Sequence, residues 1–165
     1  MLNKVKNILL KQAIKNHKKS LQPFVLSELQ KVVFLIDKHQ SIASEVSILK
    51  EVLPNSISID KIAFTNTLND QELIMHTMLF CPQDFNWYQK PVKKELVTFL
   101  QENYDLIIDL TQKENQYQSI LLQFMNAKLI AGFKGLKEYS VNINILDNNL
   151  LFVEELLRYL TTFKR

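Results

Sequence analysis

Asp37 and Asp109 are the residues best placed to do chemistry. Asp37 ends the apolar run Lys31–Asp37 (KVVFLID), and Asp109 lies one residue from the end of Asp105–Leu110 (DLIIDL). Both runs read as strands covered on both faces. If the two strands are neighbours, both carboxylates face the crevice where open α/β sheets take ligands. Two such carboxylates can hold Mg²⁺ or divide the roles of acid and base. His39 and Ser41 in the first loop, and Thr111 after the second run, would complete a polar cluster. The plainer reading puts the same aspartates to work in helix capping and loop hydrogen bonds, where aspartate is common. A metal would need a third ligand that the sequence does not identify. His17, His39 and His76 are far apart and lack metal-ligand spacing.

The elements that must position these groups alternate along the chain. After Lys31–Asp37, Ile42, Val46 and Leu49 mark a helix face that runs to Val52, with Ser41 and Glu45 placed to cap its start. Ile57–Phe64 (ISIDKIAF) is a second strand and His76–Phe80 a short third one. Pro91 suits the first turn of a helix whose buried side is Leu96, Val97, Phe99 and Leu100. DLIIDL, a helix over Gln116–Asn126 and a strand over Lys128–Phe133 follow. Val141, Ile143 and Ile145 alternate with asparagines as in a half-exposed strand. A last helix, capped by Asn148 or Asn149, runs to about Phe163. This alternation implies βαβ units: a three-layer α/β/α, Rossmann-like sandwich on a mostly parallel sheet of about five to six strands. The expected organisation is a basic amphipathic helix over 1–20 and a single α/β domain over 28–165.

Composition excludes several function classes. With 47% apolar and 22% charged residues the chain is ordinary globular material, so disorder is excluded for most of it. Its longest apolar runs are too short for a membrane-spanning helix, and the lysine-interrupted start does not read as a signal peptide. The lone Cys81 cannot form an internal disulfide, which fits a reducing, cytoplasmic setting and a buried structural thiol. Only Gly132 and Gly135 are glycine, so neither the dinucleotide fingerprint nor the nucleoside-triphosphate loop can be written, and no cofactor is implied. A turn explains the two glycines, with a phosphate site as the weaker reading. No small-molecule substrate is identified.

Charge is segregated. All six charged residues in the first twenty positions are lysines: Lys4, Lys6, Lys11, Lys15, Lys18 and Lys19. The remainder holds 14 bases against 17 acids, so a basic leader precedes a weakly acidic body. Residues 2–19 read as a helix with Leu2, Val5, Leu9 and Ala13 near one face. Such a leader suits an anionic partner, RNA or a ribosomal surface ahead of a membrane surface, since it has no Trp or Phe to anchor in lipid. The plainer alternative is a solubilising helix packed on its own body. Trp87, Tyr88 and Lys90 form the other binding candidate, as a surface for a protein partner or for stacked bases. Its plainer alternative is a loop with Trp87 covering the core and Pro91 starting a helix.

Several of these segments carry a resemblance. The lysine-rich leader, the FLID-like first strand, Asp84-Phe85-Asn86-Trp87-Tyr88-Gln89-Lys90-Pro91, Tyr104–Leu110 and the strand from Ala127-Lys128 to Gly132 resemble an uncharacterised family of small bacterial α/β proteins, a domain of unknown function. The resemblance implies an α/β fold, a leader that belongs to the protein, and no particular activity. A weaker local similarity, Tyr104 to Phe133, is to the N-terminal half-domain of heptosyltransferases. Those enzymes need a glycine- and proline-containing first loop and a second Rossmann domain. Here the loop is Asp37-Lys38-His39-Gln40-Ser41 and the chain is too short for the second domain. The expected function is therefore non-enzymatic docking through the basic helix. The alternative is a degenerate or partial glycosyltransferase-like domain with its crevice near Asp37 and Asp109.

Overall fold

The computed structural model describes residues 2–17, 24, 26–53, 56–66, 77–112, 115–145 and 148–162. In chain order the elements are α1 (Leu2–His17), β1 (Lys31–Asp37), α2 (Ala43–Val52), β2 (Ser58–Phe64), β3 (Thr77–Phe80) and α3 (Lys94–Gln101). They continue with β4 (Asn103–Asp109), α4 (Gln116–Phe124), β5 (Asn126–Gly132), β6 (Val141–Asn142) and α5 (Asn149–Thr162). All pairings are parallel, in the order β3-β2-β1-β4-β5-β6. The first strand thus stands beside β4 at the centre, as the alternation of the sequence implies.

Two-residue alternation sends β1 to both faces. Val32, Phe34 and Ile36 join a core with α2 and α5, while Val33 and Leu35 join a second core with α3 and α4. Each of these five is at most 2% exposed. A fully buried side chain of this kind contributes about 1.5–3 kcal/mol, so β1 anchors both layers. The helices match by their own period. Phe152, Val153, Leu156, Leu157 and Leu160 of α5 lie on one face of the sheet, and Ile120, Leu121 and Phe124 of α4 on the other. Helix α1 joins the second layer, where Leu10, Ala13 and Ile14 pack against the core.

Several local expectations are corrected. Ser41 does not cap α2: buried Ile42 holds the N-cap position and no side chain closes it. Pro91 is not in the first turn of α3. It forms an antiparallel bridge with Phe85, and the helix begins at Lys94, because the amides of Val92 and Lys93 both donate to the Asp84 carbonyl. The half-exposed strand is shorter than expected: only Val141–Asn142 belong to it, since the Ile145 amide turns back onto the Ile143 carbonyl at 2.9 Å. At α5 the Asn148 side chain does accept from the Leu151 amide, at 3.0 Å. The joint expected at 20–27 falls largely outside the described residues.

Candidate functional site

At the carboxyl end of the sheet, Asp109 is fully buried at the end of β4. Its Oδ1 accepts from the Thr111 amide at 3.0 Å and from the Thr111 hydroxyl at 2.5 Å. Its Oδ2 accepts from the Tyr139 hydroxyl at 2.7 Å and lies 3.7 Å from the Lys134 ammonium. Lys134 also donates to the Thr111 hydroxyl oxygen. The result is a closed polar ring in which a buried carboxylate meets a buried ammonium and two hydroxyls.

Gly132 makes the ring possible. A Cβ there would lie 2.2 Å from the Tyr139 ring, so only glycine lets the phenol pass over β5 to reach Asp109. Gly135, at φ +70°, supplies the left-handed turn that follows, as the turn reading expects. Burial, then the Asp109 charge and hydrogen bond, then Glu138 push the Tyr139 phenol far above its ordinary range. Tyr139 is therefore a hydrogen-bond donor at physiological pH and not a base. The Glu138 side chain is 7% exposed; its Oε1 is 4.0 Å from Lys137 and makes no hydrogen bond among the described residues.

The expected cluster assembles in part. Thr111 meets Asp109. Asp37 stands on the neighbouring strand, and its Oδ2 accepts from the Gln112 amide at 2.9 Å. That is a loop-tethering role, reinforced by Gln40, whose side chain accepts from the Asp37 amide and donates to the Leu110 carbonyl. His39 and Ser41 are exposed and do not enter the Asp109 ring. Among the described residues no group of three His, Cys, Asp or Glu side chains could hold a metal ion. His76 lies outside the described residues. Sequence reasoning singled out neither Tyr139 nor Lys134. The signal for both was Gly132, a strand glycine that marks a close approach.

The aromatic segment is a tight loop held by its own backbone. The Asn86 side-chain oxygen accepts from the amides of Tyr88 (3.2 Å) and Lys90 (2.9 Å), and the Asn86 amide donates to the Lys90 carbonyl. Gln89 turns the chain at φ +69°. Trp87 does not cover the core: it is 60% exposed and packs edge-on against Tyr88. Cys81, just before this loop, is fully buried, and burial followed by the nearby Asp84 pushes its thiol up. It is the structural thiol expected.

On α1, Lys4, Lys11 and Lys15 are exposed and Lys6 is half-buried, whereas Leu10, Ala13 and Ile14 face the core. Lys18 and Lys19 lie outside the described residues. A groove of about 230 Å³ joins α1 to the aromatic loop, with Ala13 on one side and Lys90 and Pro91 on the other. A second cavity, about 330 Å³, sits by the start of α4 between Gln118 and Lys134.

Strand order, parallel pairing and two helical layers define a Rossmann-like α/β sandwich, with a polar ring at its crest. No helix among the described residues is long and apolar enough to cross a membrane. The chain belongs to the Family of unknown function (DUF6913), whose model matches residues 3–163. No curated protein and no solved structure matches it. The local likeness to heptosyltransferases therefore rests on its sequence segment alone.

Proposed function

We propose that the protein is a non-enzymatic docking module that binds RNA through the outward side of α1 together with the aromatic loop. The supporting observation is the shared groove: Ala13 of α1 and Lys90 of the loop line one depression. That groove sets the loop that carries the exposed Trp87 beside the helix that carries the exposed Lys4, Lys11 and Lys15. Lysines there contact phosphates without reading sequence, and Trp87 and Tyr88 offer faces on which bases stack. A membrane would need apolar anchors on the free side of α1, which has Val5 and Ile8 but no aromatic residue.

The test is binding of single-stranded RNA by the full chain at several salt concentrations. Replacing Lys4, Lys11 and Lys15 by Gln lowers the salt slope by about 2, because each phosphate contact contributes about 0.7 on a single strand. Trp87→Ala costs about 1–3 kcal/mol of affinity if a base stacks on it. Binding to anionic vesicles with none to RNA, or RNA binding indifferent to the lysine changes, rejects the reading.

A further inference from the structure

The cavity beside α4 has the marks of a ligand site that is separate from the RNA surface. Its volume, about 330 Å³, lies within the range of small-molecule pockets. Asn115, Gln116, Gln118 and Ser119 line it from the first turns of α4, and Lys134 and Leu136 close it from the β5–β6 connection. It therefore opens at the sheet's carboxyl end, where folds of this order take ligands.

Gln118 is the informative residue. It is only 3% exposed, yet its side-chain Oε1 has no hydrogen-bond partner among the described residues. A buried acceptor left unmade is costly, and native structures rarely tolerate one without reason. The usual use of glutamine three residues after an N-cap is to bond back to the cap amide. Here Asn115 caps alone, by accepting from the Tyr117 amide at 2.8 Å, and Gln118 is free to serve the cavity. Facing it is Lys134, whose side chain is 8% exposed. Lys134 has three donor hydrogens, and the structure directs it to Thr111 and Asp109, so one hydrogen is left for the cavity.

Charge decides against an anion. The Lys134 ammonium is offset by fully buried Asp109, and Glu138 adds a second buried carboxylate next to Tyr139. Phosphate or a carboxylic acid would enter a region whose positive charge is already neutralised. The cavity instead wants a donor for Gln118 beside an acceptor for Lys134, with Leu136 as an apolar wall. A cyclic amide edge carries that pair of groups. We infer that the cavity between α4 and the β5–β6 connection binds a small uncharged cyclic amide of the pyrimidine-base type, read by Gln118 and Lys134.

The test uses the full chain titrated with uracil, 1,3-dimethyluracil and inorganic phosphate, followed by calorimetry and by the side-chain amide resonance of Gln118. Uracil is expected to saturate one site. Dimethyluracil keeps the acceptors but has lost both N–H donors, and is expected to bind tenfold or more weakly, in line with the discrimination seen when a buried polar group is left unpaired (about 10-fold to much larger). Gln118→Leu removes an unmade acceptor, so the fold survives, and it should erase the preference for uracil. Trp87→Ala should weaken RNA binding and leave uracil binding unchanged, which separates this site from the RNA surface; a parent chain that binds uracil but no RNA would fail the RNA reading and keep this one. Lys134→Arg retains the charge and should weaken both pyrimidines together. Equal affinity for uracil and dimethyluracil, tighter binding of phosphate, no saturation at millimolar uracil, or a Gln118→Leu variant that binds uracil as well as the parent overturns the proposal.

Discussion

Strand β4 carries two aspartates of opposite use. At its start, Asp105 accepts from the backbone amides of Gln30 (2.8 Å) and Lys31 (2.9 Å) and pairs with Lys128 of β5 at 2.8 Å. It ties the first residues of β1 to β4 and β5. At its end, Asp109 meets Thr111, Tyr139 and Lys134, all from connections beyond the strands. The lower carboxylate holds two backbone amides and a side chain that is itself on a strand, so its partners are set once the sheet forms. The upper one holds a single amide, that of Thr111, and otherwise side chains that a ligand or a substitution can redirect. Parallel sheets commonly separate their ends this way: strand starts carry stability and strand ends carry function.

The sharpest way to break the comparison is to remove the upper carboxylate. Asp109→Ala strands a buried ammonium against two hydroxyls. Breaking a buried pair from one side costs about 3–5 kcal/mol, so urea denaturation should show a loss of that size for this variant. A loss under about 1 kcal/mol would mean that the Lys134 charge reaches solvent and that the crest is not sealed.

How much of this was legible beforehand depends on how local the cause is. The run KVVFLID gave β1 its limits because a strand buried on both faces needs nothing but continuous apolar residues. Asp109 and Thr111 were legible as a pair for the same reason, being two residues apart. Tyr139 was not, because its contact depends on the space above Gly132, which no periodicity reports. Trp87 was open to two readings, since aromatic content signals burial and recognition alike. The Asn86 bonds that hold its loop arise only once the chain has turned back at Gln89. The Val141–Ile145 alternation looked like a strand throughout, but a tight turn at Ile143 to Ile145 ends the pairing early.

The lower aspartate should show itself in the acid limb of stability. Burial pushes the Asp105 carboxyl up, but the Lys128 bond and the Gln30 and Lys31 amides outweigh it and hold it below its ordinary value. The folded state therefore binds this proton less readily than the unfolded chain does. Its contribution is complete above an unfolded value of about 3.9 and disappears as pH falls through the lower folded value. Asp105→Asn keeps an acceptor for the amides but loses the charge facing Lys128. Near neutral pH it should cost about 2 kcal/mol, and its stability should fall less than the parent's below about pH 4. Parallel acid limbs in the two proteins would show that Asp105 is not a source of the pH dependence.

The smallest effect tests whether the upper ring is held by charge or by its phenol. Tyr139→Phe keeps the ring over Gly132 and removes only the hydroxyl that donates to Asp109 Oδ2. A hydrogen bond to a charged acceptor is worth up to about 3 kcal/mol, but the Lys134 ammonium, now 3.7 Å away, can move in to replace it. The expected loss is therefore about 1 kcal/mol, read as a shift in urea midpoint with unchanged slope. A double variant with Lys134→Met should lose more than the two single losses combined, because each group compensates for the other at the same oxygen. Strict additivity would show instead that Tyr139 and Lys134 act on Asp109 independently, and the crest would then be a set of separate contacts, as the lower end of the strand is.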